Sequence, residues 1–378
     1  MIRMVHTADL HLDSPFAMLD LQKSEVRRQE IRDSFTSLID LVHSTRVNLL
    51  IIAGDLFDGA YVTHETLSML THGFESVPEC RIVIAPGNHD FAGDTGVYKK
   101  MKLPSNVYVF DSEEISFFDF PELNCRVYGY AFTSSVFEKS PLCTNIPLDC
   151  SKINILACHA DTESPISRYA PICVNDLERA GFDYVALGHI HNSDGVKKLE
   201  CGGYYAYSGC LEGRGFDETG EKGVITARLE KSNGKLSFDS KFVPFSKRIY
   251  LTRSLDITGC ESNTAILAKI NAFIKSEGYG ERHALKLVLE GLLEPSLRVF
   301  TQYLRDQISS LFTLRIIDNT LPLYECAHLE ADPSIRGAFF DKLRPLLESE
   351  DRETREIASM ALRYGLVALA GGETGDIT

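Results

Sequence analysis

The sequence predicts an α/β fold, two packed sheets flanked by helices, followed by a smaller α+β domain and closing helices. Three observations carry this. Apolar runs alternate with helical patterns through the first part of the 378 residues, which implies parallel strand pairing. Short wholly apolar runs, such as Leu49–Ala53, suit strands buried on both faces. Past Gly202 the pattern changes to neighbouring strands without helices between them, which suits antiparallel pairing.

The elements follow in order. Ile2–Ala8 reads as a strand. Glu25–His43 carries Val26, Ile31, Phe35, Leu38, Ile39 and Val42 at helical spacing and reads as an amphipathic helix. After the strand Leu49–Ala53, a helix over Thr63–Phe74 starts on Thr63 as N-cap. Arg81–Ala85 is the third strand. From Val107 to Cys158 helices become rare. Asn154–Cys158 and Tyr184–Leu187 are again short buried strands, with a helix near Val174–Ala180 between them. Tyr204–Ser208, Gly223–Leu229 and Lys235–Val243 are expected to pair antiparallel. A boundary falls near Pro244–Lys247. Beyond it come strand Arg248–Ile257, helix Thr264–Glu277, strand Ala284–Glu290, helix Pro295–Ser309 and strand Thr313–Ile317, a roughly ferredoxin-like order. Two amphipathic helices close the chain, about Ser334–Ser349 and Arg352–Leu369, ahead of a disordered acidic tail, GGETGDIT. The expected divisions are residues 1–245, 246–325 and 326–378.

The net charge of −14 argues against a generic polyanion binder. Bound divalent ions would offset part of it locally, and Arg27-Arg28, Lys99-Lys100 with Lys102, and Lys197-Lys198 form small basic clusters, each read as a solvated face. With no Trp, stacking on nucleobases would fall to Tyr and Phe. Ten Cys without a CxxC pair indicate neither a zinc ribbon nor a redox motif and suggest reduced thiols in the cytoplasm. The opening MIRMVHTADLHLD becomes polar too early for a signal peptide, and no apolar run is long enough to span a membrane.

The chemistry sits where strands end. The first ends in Asp9-Leu10-His11. The second ends in GDLFD, with Asp55 and Asp58. The third ends in GNHD, with Asn88, His89 and Asp90. NILAC runs into His159-Ala160-Asp161, and YVAL into GHIH, with His189 and His191. In open α/β sheets ligands bind at the carboxyl ends of strands. The Asp9/His11 and His189/His191 pairs are two residues apart, so in extended chain each pair projects to one side. Imidazole with carboxylate and no thiolate suits manganese, iron or zinc. There are ligands enough for two ions, and a two-ion site clamps the attacking and leaving oxygens of an in-line phosphoryl displacement. His6, His43, His64, His72, His283 and His328 lack such company and read as structural or solvated, and the scattered Cys, Cys158 included, as core filler.

D-x-H, GD-x-x-D, GNHD, a lone His and GH-x-H together resemble the calcineurin-like metallophosphoesterases. HTADLHLDSPF, GDLFD, DYVALGHIH and YSGCLEGRGFDETGEKG resemble the SbcD/Mre-type DNA repair nucleases among them, most of all the bacterial YhaO group. The resemblance implies a four-layer α/β/β/α sandwich with a C-terminal capping domain. It implies two divalent ions, manganese first, with iron, zinc or magnesium also admitted. Asp9, His11 and His191 would hold one ion, Asn88, His159 and His189 the other, with Asp55 bridging. His89 would assist the leaving group and Asp90 would orient His89. Two departures stand out. Asp13 occupies a position where the family commonly has Gly; it either supports a ligand or leads into the following helix. Asp58, a catalytic candidate, replaces a His of some relatives, with a purely structural hydrogen bond as the other reading.

The leading expectation is a metal-dependent DNA exonuclease or endonuclease acting on single-stranded or broken-ended DNA. It would be a homodimer partnered by an SMC-like coiled-coil ATPase of SbcC or YhaN type. The closing helices would either bind that partner or pack on their own domain. The alternative is a phosphatase or nucleotide phosphodiesterase on the same scaffold. Against a Ser/Thr phosphatase, Gly59-Ala60 follows Asp58 where that group has an Arg.

Overall fold

A computed structural model of the chain describes residues 1–59, 61–93, 96–142, 146–294, 296–323 and 329–369. Cys143, Cys326, His328 and the acidic tail lie outside the described residues. The chain divides into two compact units, Met1–Ile249 and Tyr250–Thr378.

The first unit contains β1 (Ile2–Thr7), α1 (Leu21–Ser44), β2 (Leu49–Ile52), α2 (His64–Glu75), β3 (Arg81–Ile84), α3 (Val97–Lys100), β4 (Val107–Val109), β5 (Ser116–Phe120), β6 (Cys125–Gly129), β7 (Ile153–His159), α4 (Val174–Ala180), β8 (Tyr184–Gly188), β9 (Lys197–Lys198), β10 (Tyr204–Tyr207), β11 (Gly223–Ser232) and β12 (Lys235–Pro244). Two six-stranded sheets form, in the orders β12-β11-β1-β2-β3-β4 and β5-β6-β7-β8-β10-β9. In the first, β1 to β4 run parallel and β11 joins β1 antiparallel. In the second, β6, β7, β8 and β10 run parallel. β10 thus pairs parallel with β8, where the sequence suggested an antiparallel strand; only the two-residue β9 meets it antiparallel.

Alternation along the strands builds three cores. Leu50 and Ile52 face helices α1 and α2, where they join Ile31, Phe35, Leu38, Leu70 and Phe74. Leu49 and Ile51 point the other way and pack with Ile155, Ala157, Tyr184 and Ala186 of the second sheet. Leu156, Cys158, Val185 and Leu187 form the outer core of that sheet with Leu177 of α4. Strands covered on both faces explain the unbroken apolar runs. α1 begins four residues before the predicted start because Asp20 caps it, accepting from Lys23 N at 2.8 Å. α2 starts on Thr63 as predicted, Thr63 accepting from Thr66 N at 3.2 Å.

The second unit holds β13 (Ile249–Asp256), α5 (Asn263–Ser276), β14 (His283–Glu290), β15 (Leu292–Leu293), α6 (Thr301–Asp306), β16 (Thr313–Asp318) and β17 (Leu321–Pro322). The sheet order is β13-β14-β16, with β14 and β16 parallel, beside a two-stranded β15-β17 sheet. Among the described residues no fourth strand pairs into this sheet, as a complete ferredoxin-like sheet would have. α5 buries Ile266, Ile270 and Ile274 at four-residue spacing. Closing helices Ile335–Leu347 and Arg352–Leu369 share a cluster of Phe340, Leu362 and Leu366. Among the described residues no helix is long and apolar enough to cross a membrane.

Gly188 ends β8 where the two sheets come together. A Cβ there would lie 1.8 Å from the Ala53 carbonyl oxygen and 2.9 Å from the Ala8 Cβ. Gly188→Ala must displace backbone rather than a side chain. It is expected to lower the unfolding free energy by about 1–3 kcal/mol, read as a shift of the urea midpoint; an unshifted midpoint would contradict this contact.

Candidate metal centre

The segments that leave β1 and β2 run side by side: Asp9 N donates to Gly54 O, His11 N to Asp55 O and Leu12 N to Leu56 O, each at 3.0 Å. To turn their side chains inward, Asp9, His11 and Asp55 take left-handed backbone, with φ of 52°, 45° and 49°, and His189 has φ of 103°. Such conformations cost non-glycine residues about 1–3 kcal/mol each and persist only where their surroundings impose them. Gly87 lets the GNHD turn approach: a Cβ on it would lie 2.3 Å from Asp55 Oδ1.

Three imidazoles are held by their outer nitrogens. His159 Nδ1 lies 3.1 Å from the Ala53 carbonyl, which can only accept, so Nδ1 carries the proton. His11 Nδ1 is 3.1 Å from Asp58 Oδ1, and His191 Nδ1 is 2.7 Å from Glu218 Oε1. Each Nε2 lone pair then faces inward. His159 Nε2 meets Asn88 Oδ1 at 3.0 Å and Asp55 Oδ2 at 3.4 Å, acceptors facing an acceptor. The Nε2 atoms of His11 and His191 confront each other at 3.3 Å. An electrophile, proton or metal ion, must sit among such lone pairs. The proton side of this balance is visible: burial drives the His11 pKa down, while for His191 burial also opposes the charge but the bond to Glu218 and the charges of Asp9 and Glu218 together raise it.

These groups fit two divalent cations. Ligand atoms of Asp9, His11 and His191 lie within 4.8 Å of one another, as do those of Asp9, Asp55 and His159. All but His191 are buried. Asp55 is within 3.7 Å of His11 Nε2 and 3.4 Å of His159 Nε2, between the two groups. His189 places its backbone N–H on Asp9, at 3.1 Å to Oδ1, and its ring 5.2 Å from that of His159 and 4.8 Å from Tyr169. Burial, then the neighbouring His159, lowers its pKa to about 4, which leaves the ring neutral.

A family model for calcineurin-like phosphoesterases matches residues 2–193. The chain is a calcineurin-like phosphoesterase. It is 28% identical over 363 residues to the uncharacterized metallophosphoesterase YhaO of Bacillus subtilis, covering 89% of this chain and 86% of YhaO. It is 25% identical over 213 residues to the DNA double-strand break repair protein Mre11 of Methanopyrus kandleri, covering 52% of this chain and 46% of that protein. It is 23% identical over 272 residues to the D component of the SbcCD nuclease of Staphylococcus epidermidis, covering 64% of this chain and 69% of that protein. The phosphoesterase family makes the chain a hydrolase that uses divalent metal ions, and the two ligand groups are where they would bind.

The remaining phosphoesterase residues divide clearly. His89, 44% exposed, is the accessible imidazole of the set; its Nδ1 lies 3.1 Å from Asp58 Oδ1, and that bond raises its pKa. Asp58 stays ionised well below the ordinary carboxylate range: burial opposes this, but the bonds from His11 and His89 prevail. Asp90 does not orient His89, contrary to expectation. It is buried and accepts from Gly87 N (2.7 Å), Leu56 N (2.8 Å), Asp55 N (3.2 Å) and Tyr98 Oη (2.6 Å), pinning the turn to the β2 end. Burial, then the charge of Asp55, lifts its pKa to about 6. Asp13 serves the helices: it accepts from Thr63 N, Thr66 Oγ1 and Arg32. Asp161 caps its own loop, accepting from Glu163 N and Ser164 N.

His6 is structural, bonded to Tyr184 and the Leu187 carbonyl, and burial drives its pKa down to about 3. His43, His64 and His72 are exposed. Arg27 departs from its reading as a solvated residue: it is fully buried on Glu212 at 3.0 Å. Sequence reasoning missed Glu218, Arg214 and Lys222. Glu218 and Arg214 flank His191, and Lys222 Nζ donates to the His191 carbonyl at 3.2 Å and to Asn192. The available signal was GRGFDETGEKG, a glycine-rich stretch dense in charged residues, soon after GHIH.

A raised folded-state pKa means that the His89–Asp58 pair stabilises fully below the unfolded value of 6.5 and loses this as pH rises through the folded value. In metal-free protein, NMR titration is expected to find His89 above 6.5, and Asp58→Asn to bring it down to or below that value. A parent His89 at or below 6.5 would contradict the pairing.

Proposed function

We propose that the chain is a two-metal DNA phosphodiesterase, an exonuclease, an endonuclease or both, with manganese as its working ion. The observation that carries this reading is the half-exposed, Asp58-bound His89 beside two ligand groups that share Asp9, with Asp55 lying between the histidines of both. Likeness to Mre11 over 52% of the chain and to the SbcCD nuclease over 64% supports a phosphodiester of DNA as substrate. Asp9, His11 and His191 are assigned to one ion, Asn88, His159 and His189 to the other, and Asp55 to both. When bound, the ions lower the pKa of a water nucleophile and neutralise charge on the phosphoryl oxygens.

The chain's own residues do the rest. With Nδ1 engaged by Asp58, protonated His89 presents Nε2–H to the departing sugar oxygen, the general-acid role. Asp58 keeps that proton in place by staying ionised. Asp90 acts on the turn, holding Asn88 and His89 at the end of β3. On the same reading, residues 246–325 present DNA to the centre. The closing helices, with Ile335, Ile357 and Met360 exposed, receive an SMC-like coiled-coil ATPase, and the working form is a cytoplasmic homodimer.

Purified protein with Mn²⁺ is expected to degrade single-stranded or broken-ended DNA. His89→Ala should cut the rate about 10²- to 10⁴-fold while elemental analysis finds its metal content unchanged. Vigorous hydrolysis of a phosphomonoester with no cleavage of DNA would overturn the proposal in favour of a phosphatase.

A further inference from the structure

Arg214 is a third polar group at the mouth of the centre. We propose that it binds a non-bridging oxygen of the scissile phosphate. The inference rests on the phosphodiester reading of the site.

Charge is the first argument. Asp9, Asp55, Asp58 and Glu218 all converge on the centre, an arrangement that repels an anionic substrate unless cations answer it. Among the described residues, Arg214 is the one guanidinium whose contacts reach the histidines: Nη2 lies 3.3 Å from His191 Nδ1, and Nη1 lies 3.4 Å from Asp58 Oδ1. Lys222 also reaches this region, but it is buried and turned onto the His191 carbonyl. The Arg214 side chain is 20% exposed, open enough to meet a ligand.

Donor accounting is the second. A guanidinium carries five N–H donors in a fixed plane. Nε and Nη2 donate to Glu218 Oε1 at 3.2 and 3.0 Å, and Nη1 gives one proton to Asp58. The second protons of Nη1 and Nη2 remain for an incoming oxygen, since the nearby His191 Nδ1 already carries a proton and cannot accept. The same Asp58 oxygen also takes His89 Nδ1 at 3.1 Å, so Arg214 and His89 flank one atom. A phosphate placed for proton transfer from His89 is within reach of Arg214.

Rigidity is the third. The Arg214 backbone N–H donates to Glu218 Oε2 at 2.6 Å, and the preceding carbonyl, Gly213 O, accepts from Arg27 Nη2 at 2.9 Å. Arg27 is fully buried and also paired with buried Glu212, whose other oxygen accepts from Ser34 at 2.7 Å. A buried ion pair anchored in α1 thus holds the loop that presents Arg214. A residue needed only to pair with Glu218 would not require this second anchor.

The test uses the full chain loaded with Mn²⁺. Inorganic phosphate binding is measured by titration calorimetry, and KM and kcat with bis(p-nitrophenyl) phosphate, a phosphodiester that is not DNA. Loss of one charge-assisted contact is worth roughly ten- to a hundredfold. Arg214→Gln is therefore expected to weaken phosphate affinity and raise KM by that factor, with unchanged metal content, and Arg214→Lys to recover part of the affinity. Unchanged phosphate affinity in Arg214→Gln overturns the inference, and so does a loss of bound metal, which would make Arg214 a support for His191 alone. Failure of DNA cleavage, with the diester result as expected, would sink the nuclease reading and leave this one standing.

Discussion

Three of the imidazoles at the centre are held from behind. The Ala53 carbonyl, Asp58 and Glu218 take the Nδ1 protons of His159, His11 and His191. That single constraint decides which nitrogen faces inward and in what plane, and the ligand groups follow from it. A ligating His whose second nitrogen is bonded is a stronger and better-aimed donor than a free one. The outer partners are therefore as much a part of the centre as the ligands. They come from three places: the end of β2, the GDLFD turn and the loop before β11.

The rest of the first unit can be read as what this arrangement demands. Ligands must come from separate strands because no single element can surround an ion. Two mixed sheets packed face to face, parallel through their central strands, bring the ends of β1, β2, β3, β7 and β8 to one edge. The strained residues sit at that edge, Asp9, His11, Asp55 and His189 all having positive φ. Their strain is offset by the cores behind them, where Leu49, Ile51, Ile155 and Ala186 are fully buried. Asp90 belongs to the same arrangement, its four donors closing the GNHD loop against β2.

How much of this was legible in the sequence depended on adjacency. A His, Asp or Asn that directly follows an apolar run announces itself as a candidate, so Asp9, His11, Asp55, Asn88, His159, His189 and His191 could all be singled out. Residues that act from loops could not: nothing in the spacing of Glu218 or Arg214 relates them to His191. Adjacency also misled. Asp90 follows His89 in the chain, but a turn sends consecutive side chains in different directions, and Asp90 is buried while His89 is exposed. The true partner, Asp58, lies on a different strand end, in the GDLFD turn. Arg27 misled in the same manner, because a basic doublet reads as surface until Glu212, distant in sequence, is seen beside it. Strand direction failed at β10, since an apolar pattern marks a strand without naming its neighbour.

The overall charge of −14 is at first sight at odds with an anionic substrate, and the geometry shows why it need not be. Exposed charges farther than about 8–10 Å apart are largely screened at physiological salt, so the net charge governs approach more than capture. Capture is decided at the centre itself, where carboxylates are paired with N–H donors and cations of the protein or kept for metal ions. Glu218 is tied to His191 and Arg214, and Asp58 to His11, His89 and Arg214. Asp9 and Asp55, the two carboxylates within the ligand groups, remain to face bound ions. An acidic chain can in this way meet a phosphate without a local excess of negative charge, because Glu218 and Asp58 are answered by groups that the fold has placed against them and Asp9 and Asp55 would be answered by metal ions.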